Sequence, residues 1–148
     1  MKRFVVILAA AAAFASSFAS AQMKPEDAIK HRKAAFNVIA YNFGSIGAMV
    51  NNRKPYNKDE AVRNAATASA VAWQPYELFL PGTDTGDTKA KSNIWSDGAK
   101  FKAAGEKMQS EMAKLASVAR DGDVNTLKAQ FGEVGKTCKA CHDDYRKE

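Results

Sequence analysis

Two cysteines and a histidine near the C-terminus carry the most specific chemistry in this sequence. Cys138-Lys139-Ala140-Cys141-His142 sets two thiols three residues apart, with an imidazole directly after the second. On a helix, positions three and four apart share one face, so Cys138, Cys141 and His142 project the same way. Thiols so spaced can reach the two vinyl groups on one porphyrin edge and form thioethers, while His142 reaches the central iron. Cys-x-x-Cys-His is the pattern of c-type haem attachment. It predicts one covalently attached haem c per chain, with His142 as an axial iron ligand.

Other uses of the same residues fit less well. A thioredoxin-like redox pair needs a preceding strand and a βαβ setting, and no such pattern precedes Cys138. A zinc site needs four ligands, and the only other histidine is His31. A disulfide between Cys138 and Cys141 would close a tiny loop, stabilise little and leave His142 without a role.

The chemistry then turns on what lies opposite His142. A methionine or second histidine there makes a closed electron-transfer site, whereas an open position admits small ligands. Beyond the leader, the methionines are Met23, Met49, Met108 and Met112. Met23 precedes the first helix, Met49 falls off that helix's Ile29/Phe36/Phe43 face, and Met108 and Met112 fit a core stripe where methionine fills gaps. His31 sits about 140° around the helix from Phe36 at 100° per residue, which predicts a solvated side chain. The residue best placed to cover the iron is Phe36, which cannot ligate it.

The elements that must position these residues read as helices throughout, with few prolines, no sustained alternation and much Ala, Lys and Glu. A first helix is expected from Pro25 to Asn51, with Pro25 in its first turn and Glu26 and Asp27 at its positive end. Its apolar face is Ile29, Phe36, Ile39 or Ala40, Phe43, Ile46 and Val50. A second begins after a break at residues 51–56, with Asn57 as cap and Glu60 completing a capping box. Its face reads Val62, Ala66, Ser69 and Trp73, and Pro75 kinks or ends it. A short piece at residues 76–80 leads into a polar loop at 81–88. A third helix is expected from Ile94 to Ala119, with Ile94, Phe101, Met108, Met112 and Leu115 on one side. A fourth starts near Val124, capped by Asp123, and turns Leu127, Phe131, Val134, Cys138, Cys141, His142 and Tyr145 inward. The fold class is all-α: an antiparallel up-down-up-down four-helix bundle with haem attached near its C-terminus.

The N-terminus addresses the chain outside the cytoplasm. Lys2 and Arg3 precede an Ala-rich apolar run to Phe18, followed by Ala19-Ser20-Ala21. That is the three-part layout of a cleaved signal peptide, and the run is too short and Ala-rich for a membrane anchor. Residues 1–21 are therefore expected to be removed, leaving one domain of residues 22–148 in the periplasm, with no membrane insertion thereafter. Loss of Lys2 and Arg3 lowers the net charge from +6 to +4. Basic and acidic residues interleave, as in 24–33 and 143–148, which argues against nucleic acid as a partner.

The whole pattern resembles the cytochrome c′ family. The resemblance is carried by Lys24 to Ala28, Arg32, Phe43-Gly44, Trp73, Pro81-Gly82-Thr83, Ile94 to Asp97, and Phe131-Gly132 through Cys138 to Arg146. It implies a five-coordinate haem with an apolar distal pocket. It further implies binding of nitric oxide and carbon monoxide with discrimination against dioxygen, and homodimers packed through the first two helices. By position, Phe36 takes the distal role. Arg32 takes that of a first-helix arginine close to a haem propionate, with Lys33 beside it. Arg146 matches an arginine near the proximal imidazole. Lys33 stands where some relatives have glutamine, the loop after Gly86 looks longer, and Phe36 is bulkier than the leucine of some members. The function so implied is gas binding with the ability to carry one electron and no catalytic turnover. The alternative is a dedicated one-electron carrier between periplasmic donors and acceptors.

Overall fold

The computed structural model describes residues 23–148. The expected signal peptide lies outside the described residues. Among them there is no strand, and the elements in order are α1 (Pro25–Val50), α2 (Lys58–Val71), a 3-10 turn (Tyr76–Leu78), α3 (Asn93–Ser96), α4 (Gly98–Asp121) and α5 (Val124–Tyr145). The four long helices pack α1 on α2, α2 on α4, α4 on α5 and α5 on α1, closing the expected bundle. No described helix is long and apolar enough to cross a membrane.

Helix α1 starts as its residue types dictate, with Pro25 in the first turn and Glu26 and Asp27 against the positive end. It stops where Asn52 turns left-handed, at φ 56°, a conformation that asparagine tolerates better than most residues. The amides of Arg53 and Lys54 then fold back on the Ala48 carbonyl at 2.8 and 3.2 Å. The Asn57 side chain caps α2 by accepting from the Glu60 amide at 2.9 Å. The capping box is only half formed. Glu60 does not return to Asn57 but reaches across to α1, accepting from Ser45 Oγ at 2.8 Å and from Lys54 Nζ.

Three sequence expectations need correction. The buried stripe of α2 is Ala61, Ala65, Ala68 and Ala72. Ala66 is exposed, Val62 and Ser69 are only half-buried, and Trp73 is 52 % exposed. The alanine stripe is equally helical in period and brings α2 close to α1 and α4, which a stripe containing Trp73 would prevent. Met49 is 1 % exposed and belongs to the core, because the C-terminal half of α1 is enclosed on more than one side. The expected third helix is broken at Asp97 (φ −104°, ψ 32°) into α3 and α4. Ser96-Asp97-Gly98 supplies the turn chemistry that competes with helix there.

The main core joins Ile39, Ile46, Met49, Val50, Met108, Met112, Leu115, Leu127 and Val134 to the α2 alanines. Each large side chain so buried contributes about 1.5–3 kcal/mol. A second, smaller cluster gathers Ala90, Ile94, Phe101 and Tyr145, with Tyr76, Phe79, Trp95 and Cys141 packed on it. The loop between the 3-10 turn and α3 closes over this cluster. It pairs with the chain end through an antiparallel bridge between Ala90 and Arg146.

Candidate functional site

The last three turns of α5 hold the thiols and the imidazole. Asp123 caps this helix, accepting from the Thr126 amide at 2.8 Å, and buried Leu127 and Val134 dock it on the main core. That register leaves Cys138 against the main core and Cys141 against the aromatic cluster, both half-buried and neither oxidised. Burial pushes the Cys138 thiol up; burial first, then Cys138 and Asp144, raise Cys141 to about 11. Burial of this kind disfavours the thiolate, the opposite of the shift in a thioredoxin-like pair. His142 is exposed. Desolvation and then the Arg146 charge lower its pKa against an opposing effect of Asp143, which favours the neutral imidazole that can ligate a metal.

Facing these groups is a chain of aromatic rings. Phe36 on α1 is half-buried and meets the edge of Tyr76 at 5.9 Å between centroids and that of Phe79 at 6.4 Å. Phe79 packs edge-on against Phe101 at 4.8 Å, and Phe101 against Tyr145 at 5.2 Å. Trp95 closes the side at 6.2 Å from Phe79 and donates its indole N–H to the Phe79 and Leu80 carbonyls. Tyr76 lies near enough to both thiols that, after burial, Cys141 and Cys138 push its phenol pKa further up. Tyr76 and Phe79 escaped the sequence reading, although an aromatic pair three apart directly after Pro75 is a usable signal. Tyr76 also means that the surroundings of Phe36 include one hydroxyl.

Arg32, one turn before Phe36, is only 2 % exposed, so it is no surface residue. Its guanidinium gathers the loop. Nη1 donates to Thr83 Oγ1 at 2.6 Å and, more weakly, to the Leu78 carbonyl at 3.4 Å. Nη2 donates to the Thr83 carbonyl at 2.7 Å and Thr88 Oγ1 at 2.6 Å. The cation also lies 4.4 Å over the Phe79 ring. Burial lowers its pKa, and among the described residues it has no carboxylate partner. Lys33 points outward to Asp87 at 2.6 Å. Arg146 is exposed at the C-cap of α5, its amide on the His142 carbonyl at 3.0 Å.

Met49, Met108 and Met112 are buried in the main core, on whose edge Phe36, Tyr76 and Cys138 pack, and Met23 and His31 are exposed. The second cluster contains neither methionine nor histidine. Among the described residues no three His, Cys, Asp or Glu side chains gather as a metal set. The donor set fits a covalently attached haem: two free thiols a turn apart, a neutral imidazole next to the second, and an aromatic wall. Arg32 and Lys33 supply cations on α1, and Arg146 another on α5.

Comparison with known proteins agrees. A family model described as Cytochrome C′ matches residues 27–146. Cytochrome c′ from Alcaligenes xylosoxydans xylosoxydans is 41% identical over 125 residues, covering 84% of this chain and 97% of that protein. The solved cytochrome c prime from Shewanella frigidimarina superposes with a TM-score of 0.82 at 42% identity, covering 84% of this chain and 98% of the other. Two solved leucine variants of the Alcaligenes xylosoxidans protein are similar at 40% identity, again covering 84% and 98% of the two chains. One is a nitric oxide complex (TM-score 0.79) and the other carbon monoxide-bound (TM-score 0.78).

Proposed function

The chain belongs to the cytochrome c′ family, and on that premise we propose that it is a periplasmic haem protein that binds nitric oxide and carbon monoxide at an open axial position and can exchange one electron. The family binds haem c, and the chain has two cysteines for the attachment. Bound there, the haem supplies an iron that takes up diatomic ligands and changes oxidation state by one electron. Cys138 and Cys141 would hold it through thioethers and His142 would ligate its iron. Phe36 would line the pocket with an uncharged side chain that admits a neutral diatomic but adds no bond of its own. Arg32 on α1 and Arg146 beside His142 would supply cations to the bound group, and Lys33 would do so only by leaving Asp87.

One observation carries this reading: the cluster on which Cys141 packs is aromatic and contains no methionine or second histidine. A dedicated electron carrier is best served by a sixth ligand from the protein, and Met49, Met108 and Met112 are instead packed among the aliphatic side chains of the main core. The reading is one of binding and electron exchange, without catalytic turnover. Residues 1–21 would direct export, leaving residues 22–148 as the mature domain. A homodimer through α1 and α2 is part of the same reading. It is supported by Val38 and Tyr41, apolar or aromatic yet 41 % and 77 % exposed on α1.

The test is spectroscopic. The purified protein should carry a haem mass adduct on the peptide containing Cys138 and Cys141. It should give high-spin optical and EPR spectra that change on adding nitric oxide or carbon monoxide. A low-spin spectrum indifferent to both gases would sink the open-site reading. Phe36→Ala should speed carbon monoxide association in flash photolysis, and unchanged kinetics would remove Phe36 from its covering role.

A further inference from the structure

The loop that roofs the aromatic cluster is tied at both ends, and one hydroxyl, that of Thr88, bonds toward both. On the α1 side, the buried Arg32 guanidinium donates to Thr88 Oγ1 at 2.6 Å. The same oxygen accepts from the Ala90 amide at 3.0 Å, which uses both acceptor positions of a hydroxyl. Ala90 then forms the antiparallel bridge to Arg146. That bridge is flanked by the Lys91 amide on the Tyr145 carbonyl at 2.9 Å and the Lys147 amide on the Lys89 carbonyl at 2.7 Å. Lys91 Nζ and Asn93 Nδ2 add bonds to the Asp143 and Asp144 carbonyls at 2.8 and 3.1 Å. The Arg146 amide in turn sits on the His142 carbonyl at 3.0 Å. Hydrogen bonds joined by single backbone steps thus lead from the helix of Phe36 to the backbone of His142.

We propose that Thr88 is a positioning residue for the candidate haem site, its hydroxyl fixing the α1 wall relative to the end of α5 that carries His142. This rests on the gas-binding reading above. The physical argument is one of orphaned donors. Arg32 is nearly inaccessible to water, so losing Thr88 Oγ1 leaves one of its N–H groups and the Ala90 amide competing for whatever remains. An unsatisfied donor beside a buried charge is expensive. The loop releases it by moving, and the Ala90–Arg146 bridge moves with the loop. Thr83 cannot stand in, because its own hydroxyl already serves Arg32 and the Leu80 carbonyl, the latter at 2.8 Å.

The experiment compares haem-loaded wild type with Thr88→Val, which keeps the shape and deletes the acceptor, and with Thr88→Ser, which restores it. Thr67→Val is the control, since Thr67 is exposed and bonds only within its own helix. Amide hydrogen exchange at Ala90, Lys91, Arg146 and Lys147 should accelerate about tenfold or more in Thr88→Val, as expected for loss of a charge-assisted bond. Amides at the centres of α2 and α4 should be unaffected. The ferrous iron–histidine stretching band and the carbon monoxide association rate should both depart from wild type in Thr88→Val and return in Thr88→Ser. Unchanged exchange at those four amides would overturn the link. Faster exchange with an unmoved stretching band would reduce Thr88 to a loop anchor and overturn its positioning role. A low-spin wild type indifferent to carbon monoxide would refute the functional reading instead, and the exchange measurement would still decide whether Thr88 ties the two helices.

Discussion

Adding a single methyl group at Gly105 tests how tightly the aromatic wall is packed. Gly105 is buried in the interior of α4. A Cβ there would lie 2.6 Å from Tyr76 Cε1, 2.8 Å from Cδ1 and 3.1 Å from Cζ. Ordinary carbon–carbon contact is near 3.5–4.0 Å, so the ring must retreat by about 1 Å. It has little room, since Phe36, Phe101 and Phe79 surround it at 5.9, 5.6 and 6.4 Å. Replacing glycine by alanine inside a helix stabilises by about 1 kcal/mol, while overpacking a filled site costs about 1–3 kcal/mol. Gly105→Ala should therefore be destabilising by about 0–2 kcal/mol. Gly132→Ala is the matched control: it is exposed within α5, and its Cβ would meet nothing within 4 Å. That variant should be more stable than wild type by about 0.5–1 kcal/mol. Urea unfolding of the haem-loaded proteins reads both. Introducing Tyr76→Leu should erase most of the Gly105→Ala penalty, a coupling measurable as a double-mutant cycle. If Gly105→Ala proved as stabilising as Gly132→Ala, the claim that Tyr76 is confined between α4 and Phe36 would be wrong.

Other consequences follow from single side chains. The Glu111 carboxylate, buried on α4, accepts from Lys107 at 2.7 Å, Gln130 at 2.8 Å and Lys114 at 3.0 Å, and these bonds hold its pKa down to about 2. Because the folded pKa lies below the unfolded one, its stabilisation is complete above about pH 4.3 and is lost as pH falls toward 2. Glu111→Gln should flatten that acid-side slope in urea midpoints measured between pH 6 and pH 2.5, and an unaltered slope would count against the network. Asn57→Ala should cost about 1 kcal/mol by removing the α2 cap, visible as a lower urea midpoint. Met112, fully enclosed in the main core, should cost about 2–5 kcal/mol on truncation to alanine, with gas binding retained if it is no ligand. A loss of binding in that variant would reopen the question of the sixth ligand.

The legibility of the site was uneven, and the reasons are physical. Cys138, Cys141 and His142 were singled out by local spacing alone, since helix positions three and four apart are neighbours. The capped start of α5 at Asp123 and the first turn of α1 at Pro25 were likewise local, each decided by residues within four positions. The buried face of α2 was read one residue out of register. Periodicity identifies a face, but it does not choose between Ala61/Ala65/Ala68 and the larger Val62 and Trp73. The separation of the neighbouring helices makes that choice, by admitting only small side chains. The break at Asp97 was present as Ser96-Asp97-Gly98 and lost its weight beside the long apolar stripe that follows.

By itself the sequence determined an all-helical chain, the four long amphipathic segments, and a haem-attachment motif near the C-terminus. These are properties of composition, short spacing and period. Only the tertiary structure decided what surrounds that motif. Tyr76 comes near the thiols, and Tyr76 and Phe79 meet Phe36, because the chain leaves α2 after Val71 and turns through Pro75 into the 3-10 turn. Arg32, which the sequence could not tell from a surface residue, is buried because Thr83 and Thr88, more than 50 residues onward, offer it oxygens. Met49, Met108 and Met112 fall to the main core because helix packing assigns them there. Whether an iron held by His142 keeps an open side depends on such long-range contacts, and no window of local sequence contains them.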